Sequence, residues 1–309
     1  MTASPQARMS LPDTPAAGVA LMTVSMLIAP GMDVLAKLLT ETISPGQTAI
    51  GRFFATSILL APLITLTGGW GRPTGLHALG GLLLGAALFC ITAAVAVMPV
   101  ANAIAIFFVE PLILTLLSAA LLGERLGWRR LLAVAIGLFG AVVVLRPNVA
   151  EYGTSALLPL GAAVTFAGYL IVIRVMSQRG QRLALQFWSS VFAFVALVIA
   201  AAIATPLAWA PMALGGVGPR EMGLMLAMGL ISCVTHQLLS HAFARAEAGA
   251  LAPLQYLEII SAVALGWLVF GDFPDALTWT GTAIIIASGI YVFHRERQSG
   301  RGASSREAG

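Results

Sequence analysis

Residues 104–117 read IAIFFVEPLILTLL, apolar enough to lie in hydrocarbon except for one carboxylate, Glu110, with a proline directly behind it. On insertion scales a charge at the centre of a bilayer helix costs roughly 2.5–3.5 kcal/mol. A segment that keeps such a group has a use for it or a partner for it. The surroundings decide whether this is a membrane segment at all. The chain of 309 residues is 59% hydrophobic and 10% charged, with a mean hydropathy of +0.92. Soluble domains run nearer to about 45–50% apolar and about 25% charged, so the sequence describes an integral membrane protein. Cys90 and Cys233 both lie inside apolar runs without a CxxC spacing, which excludes a cysteine metal site.

Working outward from Glu110, ten apolar segments of about 20 residues can be counted, each long enough for a ~30 Å hydrocarbon core. They run over 17–39, 46–67, 76–96, 101–122, 127–146, 155–174, 184–205, 221–243, 249–270 and 276–294. The gaps carry chain breakers, such as GGWGRPTG at 68–75, RPN at 146–148 and GDFPD at 271–275. The ten-residue alternation of barrel strands is absent, so the spans are helices. The expectation is an all-α integral membrane protein of ten transmembrane helices. Residues 1–16 form an N-terminal tail, 17–146 a first set of five spans and 155–294 a second. Residues 295–309, without apolar content, are expected to be a disordered tail. The first segment is too long for a signal-peptide core and no A-x-A site follows it, so it reads as a retained span.

Of the seventeen Lys and Arg residues, thirteen fall on one side of this layout, from Arg8 through Arg125, Arg129 and Arg130 to Arg306. Arg146 and Arg220 fall on the other side, and Lys37 and Arg52 lie within spans. The positive-inside rule then places both termini in the cytoplasm of a bacterial inner-membrane protein. The net charge of +4 is a topology signal rather than a sign of nucleic-acid binding.

The two sets of five also resemble each other. A shift of 148 aligns FVEPLILTLLSAALLGERL (108–126) with YLEIISAVALGWLVFGDFP (256–274). Glu110 then meets Glu258, and the GE at 123–124 meets the GD at 271–272. Because five is odd, the second set would be inverted, the arrangement of many secondary transporters.

The stretch LLGERLGWRRLLAVAIGLFGAVVVLRP (121–147) resembles the EamA-type drug/metabolite transporter superfamily, and the resemblance covers roughly residues 17–294. MDVLAKLL (32–39), GQTAIGRFF (46–54) and APLQYLEIISAVALGWLVFGDFPD (252–275) are similar to riboflavin-uptake and S-adenosylmethionine-uptake members. The resemblance implies ten helices in two inverted repeats and alternating access to a small-molecule substrate, with no cofactor and no metal.

Each intramembrane polar group has a functional and a structural reading. Asp33 and Lys37, four residues apart, can pair on one helix face, or Lys37 can snorkel to the interface. Arg52, with Thr48 and Thr56 a turn to either side, can neutralise an acid or grip a ligand with its fork. Glu110 and Glu258 suit proton coupling, since a carboxyl that gains and loses a proton is what such a carrier needs. Glu110 can equally satisfy the backbone at a kink made by Pro111. Glu258 has Gln255, Tyr256 and Ser261 for company. Ser232, His236 and Ser240 share one face, so that His236 is either a cavity-lining donor or a packed histidine. Asn102 and Tyr169 are further candidates. Phe107, Trp188 and Trp267 can stack on a planar ligand or simply pack. Trp70, Trp209 and Trp279 read as interfacial anchors, and Gly81 with Gly85 as a helix-packing motif.

The short loops hold no nucleophile with a base, no paired acids and no phosphate-binding glycine loop, so an enzyme is not expected. A channel or a scaffold remains open. The expected function is transport of a small metabolite, with riboflavin the first substrate, S-adenosylmethionine the second and metabolite export the third. A proton is the expected coupling ion and the bilayer the other partner.

Overall fold

The computed structural model describes residues 14–67, 69–122, 127–177, 182–245 and 251–307, which hold helices and no strand. The first five helices are α1 (Pro15–Ile28), α2 (Gly31–Thr40), α3 (Pro45–Thr67), α4 (Gly75–Val95) and α5 (Val100–Phe107). After them come α6 (Glu110–Leu122), α7 (Trp128–Tyr152), α8 (Leu158–Ser177), α9 (Arg182–Ala204) and α10 (Pro219–Arg245). The last two are α11 (Leu257–Phe270) and α12 (Ala276–Glu307). Seven described stretches are long and apolar enough to cross a bilayer, and Leu254–Phe270 and Ala276–Val292 are shorter apolar helices. The difference from ten has three sources, the simplest being that the apolar helix Ala276–Val292 falls short of the length needed. Leu131–Ile173 is one run of 43 residues that holds both α7 and α8, separated at Gly153. The segment expected over 249–270 begins with a short 3₁₀ turn, Ala252–Tyr256, which leaves α11 only 14 residues.

Prolines account for most of the breaks. Pro30, lacking an amide hydrogen, separates α1 from α2. Between α5 and α6 the Val109 amide turns back to the Ile106 carbonyl at 3.2 Å, and Pro111 has no N–H to carry the ladder on. Pro253 lies in the 3₁₀ turn ahead of α11. By contrast Pro147 does not end α7, which continues past the expected boundary at 146 to Tyr152. Just beyond this proline the Asn148 side-chain amide donates to the Val144 carbonyl at 2.7 Å, the kind of polar support that lets membrane helices tolerate proline. The C-terminal end differs in the same direction. Where an unordered tail is expected from 295, α12 continues as helix to Glu307, because extending an existing helix needs no new nucleus.

Packing between the first and second halves of the chain follows a mirrored plan. Helix α1 packs on α10 while α4 packs on α8; α3 packs on α10 while α4 packs on α9. Helix α3 meets α9, α5 meets α11 and α7 meets α12. With α1–α2 and α5–α6 each counted as one broken segment, exchanging α1–α7 for α8–α12 in order maps these pairs onto one another. The α7–α12 contact is close because Gly140 and Gly281 face each other: a Cβ on Gly281 would meet the Gly140 carbonyl and the Val144 amide. Such approach of two backbones is how small residues drive helix association in lipid. The Ser288 hydroxyl also bonds the Ala133 carbonyl across this seam. Gly81 packs on α9 against the Ser189 carbonyl, as its sequence spacing with Gly85 suggests. Large apolar side chains such as Leu66, Phe139, Ile203, Trp267 and Leu268 stay exposed on the outer faces, the surface a bilayer would cover.

Candidate functional site

The three intramembrane acids share one local design. Asp33 is the third residue of α2, Glu110 the first of α6 and Glu258 the second of α11. Each opens a half-helix that starts at or just after an interruption of the chain. The first turn of a helix presents unpaired N–H groups and the positive end of the macrodipole, which favours a negative charge there by about 0.3–1 kcal/mol. The kink exists, and Glu110 begins the helix beyond it with its Oε1 buried and without a hydrogen-bond partner.

Two of these half-helices, α2 and α11, meet each other and the helix α5 that precedes the break before Glu110. Glu258 lies within electrostatic reach of both Asp33 and Glu110. The serine on the face of Glu258, Ser261, reaches across from α11 and donates to the Leu27 carbonyl at 2.5 Å, just ahead of the break at Pro30. Thus the interruption of the first segment is tied to the helix that carries Glu258.

Arg52 on α3 faces the same region. Asp33, Tyr169, Cys233 and His236 all lie within its electrostatic reach. Arg52, Asp33, Glu258 and His236 are half-buried by area although each lies deep within the bundle. His236 Nδ1 meets the Ser232 carbonyl at 2.9 Å. A carbonyl only accepts, so this nitrogen carries the proton and Nε2 is left to face other groups. Tyr169, 2% exposed, lies beside Ser189.

An aromatic row joins the two ends of this region. Tyr256 packs on Phe108 with ring centroids 5.6 Å apart; Phe108 meets Phe107 at 6.2 Å, Phe107 meets Phe166 at 5.6 Å and Phe166 meets Tyr169 at 5.8 Å. Phe108 belongs to the break before Glu110 and Tyr256 to the turn before Glu258, so the two interruptions stack on each other. The buried Tyr256 hydroxyl has no hydrogen-bond partner and lies against Gly289.

Other candidates fall elsewhere. Lys37 does not pair with Asp33. Its ammonium binds Asp272 at 2.6 Å and sits 4.5 Å above the Phe270 ring. Asp272 is available because Gly271, with φ of 74°, ends α11 in the left-handed conformation. The Asn102 side-chain amide donates to Asn148 at 2.9 Å, joining α5 to α7 in a buried pair. Gln255 is half-buried in the turn before α11. Trp267 is exposed on the outer surface, and Trp188 packs with Trp70, Phe187 and Phe192. The Ser240 side chain and the GE at 123–124 lie outside the described residues. Sequence reasoning missed Phe108, Phe166 and Ser189, apolar or small residues without periodic signal. It also missed the common rule that Pro30, Pro111 and Pro253 each stand within five residues of an acid.

Comparison with known proteins gives a consistent result. The EamA-like transporter family matches the chain twice, over residues 16–146 and 153–293. The S-adenosylmethionine uptake transporter of Rickettsia prowazekii is 28% identical over 91% of this chain and 94% of its own length. Pseudopaline exporter CntI of Pseudomonas aeruginosa is 31% identical over 66% of this chain and 69% of its own. The riboflavin transporter of Vibrio cholerae is 28% identical over 66% and 65%. A crystal structure of a protein 21% identical superposes with a TM-score of 0.58 over 89% of this chain and 96% of its own, which shows a shared fold.

Proposed function

This chain belongs to the EamA-like transporter family of the drug/metabolite transporter superfamily, and on that premise we propose that it takes up a small organic cation of the S-adenosylmethionine type by alternating access. The observation that carries this reading is the charge balance. Sequence alone sets Asp33, Glu110 and Glu258 against both Lys37 and Arg52. With Lys37 committed to Asp272, three carboxyl groups face one guanidinium. That surplus suits a sulfonium ligand or a proton travelling with a substrate. The aromatic row adds faces on which a sulfonium or an adenine ring can rest. The rickettsial relatives named S-adenosylmethionine uptake transporter, which align over nearly the whole chain, support the same choice.

In this reading the chain crosses the inner membrane ten times with both termini in the cytoplasm, and its halves form inverted repeats. The tandem family match and the mirrored packing support that arrangement. Glu110 and Glu258 face a central cavity with Asp33, Arg52, Tyr169, His236, Gln255 and Tyr256 in its wall. Asn102 holds the frame. The chain acts as a carrier and not as an enzyme.

Riboflavin is the second reading. The sequence motifs favour it by resemblance, and the aromatic row would also stack on a flavin ring. Uptake of labelled S-adenosylmethionine and of labelled riboflavin by cells expressing the chain, and lacking their own importers, separates the two. Saturable uptake of the sulfonium compound, unaffected by excess riboflavin, is expected. Uptake of riboflavin alone would overturn the proposal.

A further inference from the structure

Arg52 is the one cation of the site, and the chain leaves it poorly matched. Among the described residues the ion pairs within 4.0 Å are Lys37–Asp272 and Arg220–Glu41, so Asp33 lies near Arg52 without closing on it. The Arg52 Nε is enclosed and has no hydrogen-bond partner. One turn along the same face Thr56, 2% exposed, buries a hydroxyl that has no partner either. Tyr169 on α8 and His236 on α10, with Nε2 uncommitted to its own backbone, lie within electrostatic reach of Arg52. A guanidinium offers five N–H donors in a rigid fork that matches a carboxylate through two parallel hydrogen bonds. Leaving the Nε–H enclosed and unmatched costs more than the net gain from an ordinary bond, so an anionic group that engages Nε and completes the fork is favoured.

The acids are not that group. Asp33 is the nearest, and it is held as the third residue of α2, where the start of that helix stabilises its charge. Glu258 lies within electrostatic reach of Asp33 and Glu110, and Glu110 of Tyr256, so that Asp33 stands between the Arg52 side and the two glutamates. The site therefore has two electrically different ends. One gathers carboxyl groups around the paired interruptions of α5–α6 and α11. The other gathers the donors of Arg52, Thr56 and Tyr169, with His236 beside them presenting Nε2 while its Nδ1–H is held by the Ser232 carbonyl.

We propose that Arg52 is the carboxylate anchor of the site, so that the ligand is an amino acid carrying an additional positive centre, bound with its α-carboxylate on the Arg52 fork and its cationic groups towards Glu110 and Glu258. This rests on the transport reading above and narrows it: the amino-acid end of the molecule, and not the sulfonium alone, is recognised. A neutral planar substrate would accept hydrogen bonds at the Arg52 end but bring no negative charge to pair with the guanidinium.

The test is binding to the purified full chain in detergent, with three probes: S-adenosylmethionine, its decarboxylated analogue and riboflavin. Wild type is expected to bind the decarboxylated analogue at least about tenfold more weakly than the parent, the loss of a charge-assisted pair. Arg52→Gln should bind the two equally weakly, removing the discrimination, and Arg52→Lys, which keeps the charge and loses the fork, should fall between. Equal affinity of wild type for parent and analogue overturns the anchor and leaves the cation reading standing. Unchanged discrimination in Arg52→Gln overturns it as well. Binding of riboflavin alone, or of none of the three, removes both readings. Should Arg52→Gln fail to fold, the two-ligand comparison on wild type and Arg52→Lys still decides.

Discussion

Lys37 and Asp272 lie 235 residues apart in sequence, yet their side chains meet at 2.6 Å, with the ammonium also over the Phe270 ring. One turn before Lys37 stands Asp33, and Asp272 lies just past the C-terminal Gly271 cap of α11, whose first turn holds Glu258. A single ion pair thus ties the outer part of the first broken segment to the far end of the helix that carries a site acid. We expect it to hold the two halves of the transporter together on that side. The pair is half-buried, so its loss should cost about 1 kcal/mol, enough to shift a two-state equilibrium roughly fivefold. Lys37→Ala and Asp272→Ala should each lower the transport rate by about that factor, while the charge-reversed double variant recovers most of it. Uptake rates of the four proteins at equal membrane abundance check this.

The buried Asn102–Asn148 pair makes a contrasting prediction. It joins α5 to α7 through two buried side chains, so Asn102→Ala should loosen the frame without altering substrate recognition. Hydrogen bonds between membrane helices contribute about 0.6–1.7 kcal/mol. A lower unfolding temperature in detergent is expected, with KM for transport unchanged. A large rise in KM would return Asn102 to the site.

At the α7–α12 seam the backbones of Gly140 and Gly281 approach too closely for any side chain. Gly281→Val should separate the helices and strip the Ser288 hydroxyl from the Ala133 carbonyl. The expected outcome is loss of monodisperse protein on size-exclusion chromatography. The same change at Gly223, where no atom of the described chain lies within 4 Å of an added Cβ, should be tolerated.

Much of this architecture was legible in the sequence, and the reasons are physical. Long apolar runs can only be helices in lipid, so the all-helical membrane class followed from composition and length. The alignment of Glu110 with Glu258 pointed to the two residues that open α6 and α11. Prolines near the acids were visible, yet their effect was not uniform. Pro111 helps break its segment, whereas Pro147 is absorbed because Asn148 supports the backbone just beyond it. The pairing of Lys37 was misread because four-residue spacing shows which groups share a helix face, but not that a partner on another helix stands closer. Asp272 lies at the end of a helix far along the chain, and only the folded packing brings it near. The aromatic row escaped notice because phenylalanines in apolar runs give no signal of which neighbours they meet.

The most direct test of the central claim, that acids opening half-helices hold the substrate's positive charge, is uptake of labelled S-adenosylmethionine into proteoliposomes containing wild type, Glu258→Gln or Glu110→Gln. Truncating one partner of an enclosed charge pair costs about 2–5 kcal/mol, so transport by each variant should fall at least about thirtyfold at equal reconstituted protein. Glutamine keeps the shape and the half-helix, which separates loss of charge from loss of fold. Uptake by Glu258→Gln and Glu110→Gln at the wild-type rate would contradict the account and leave both acids as parts of the scaffold.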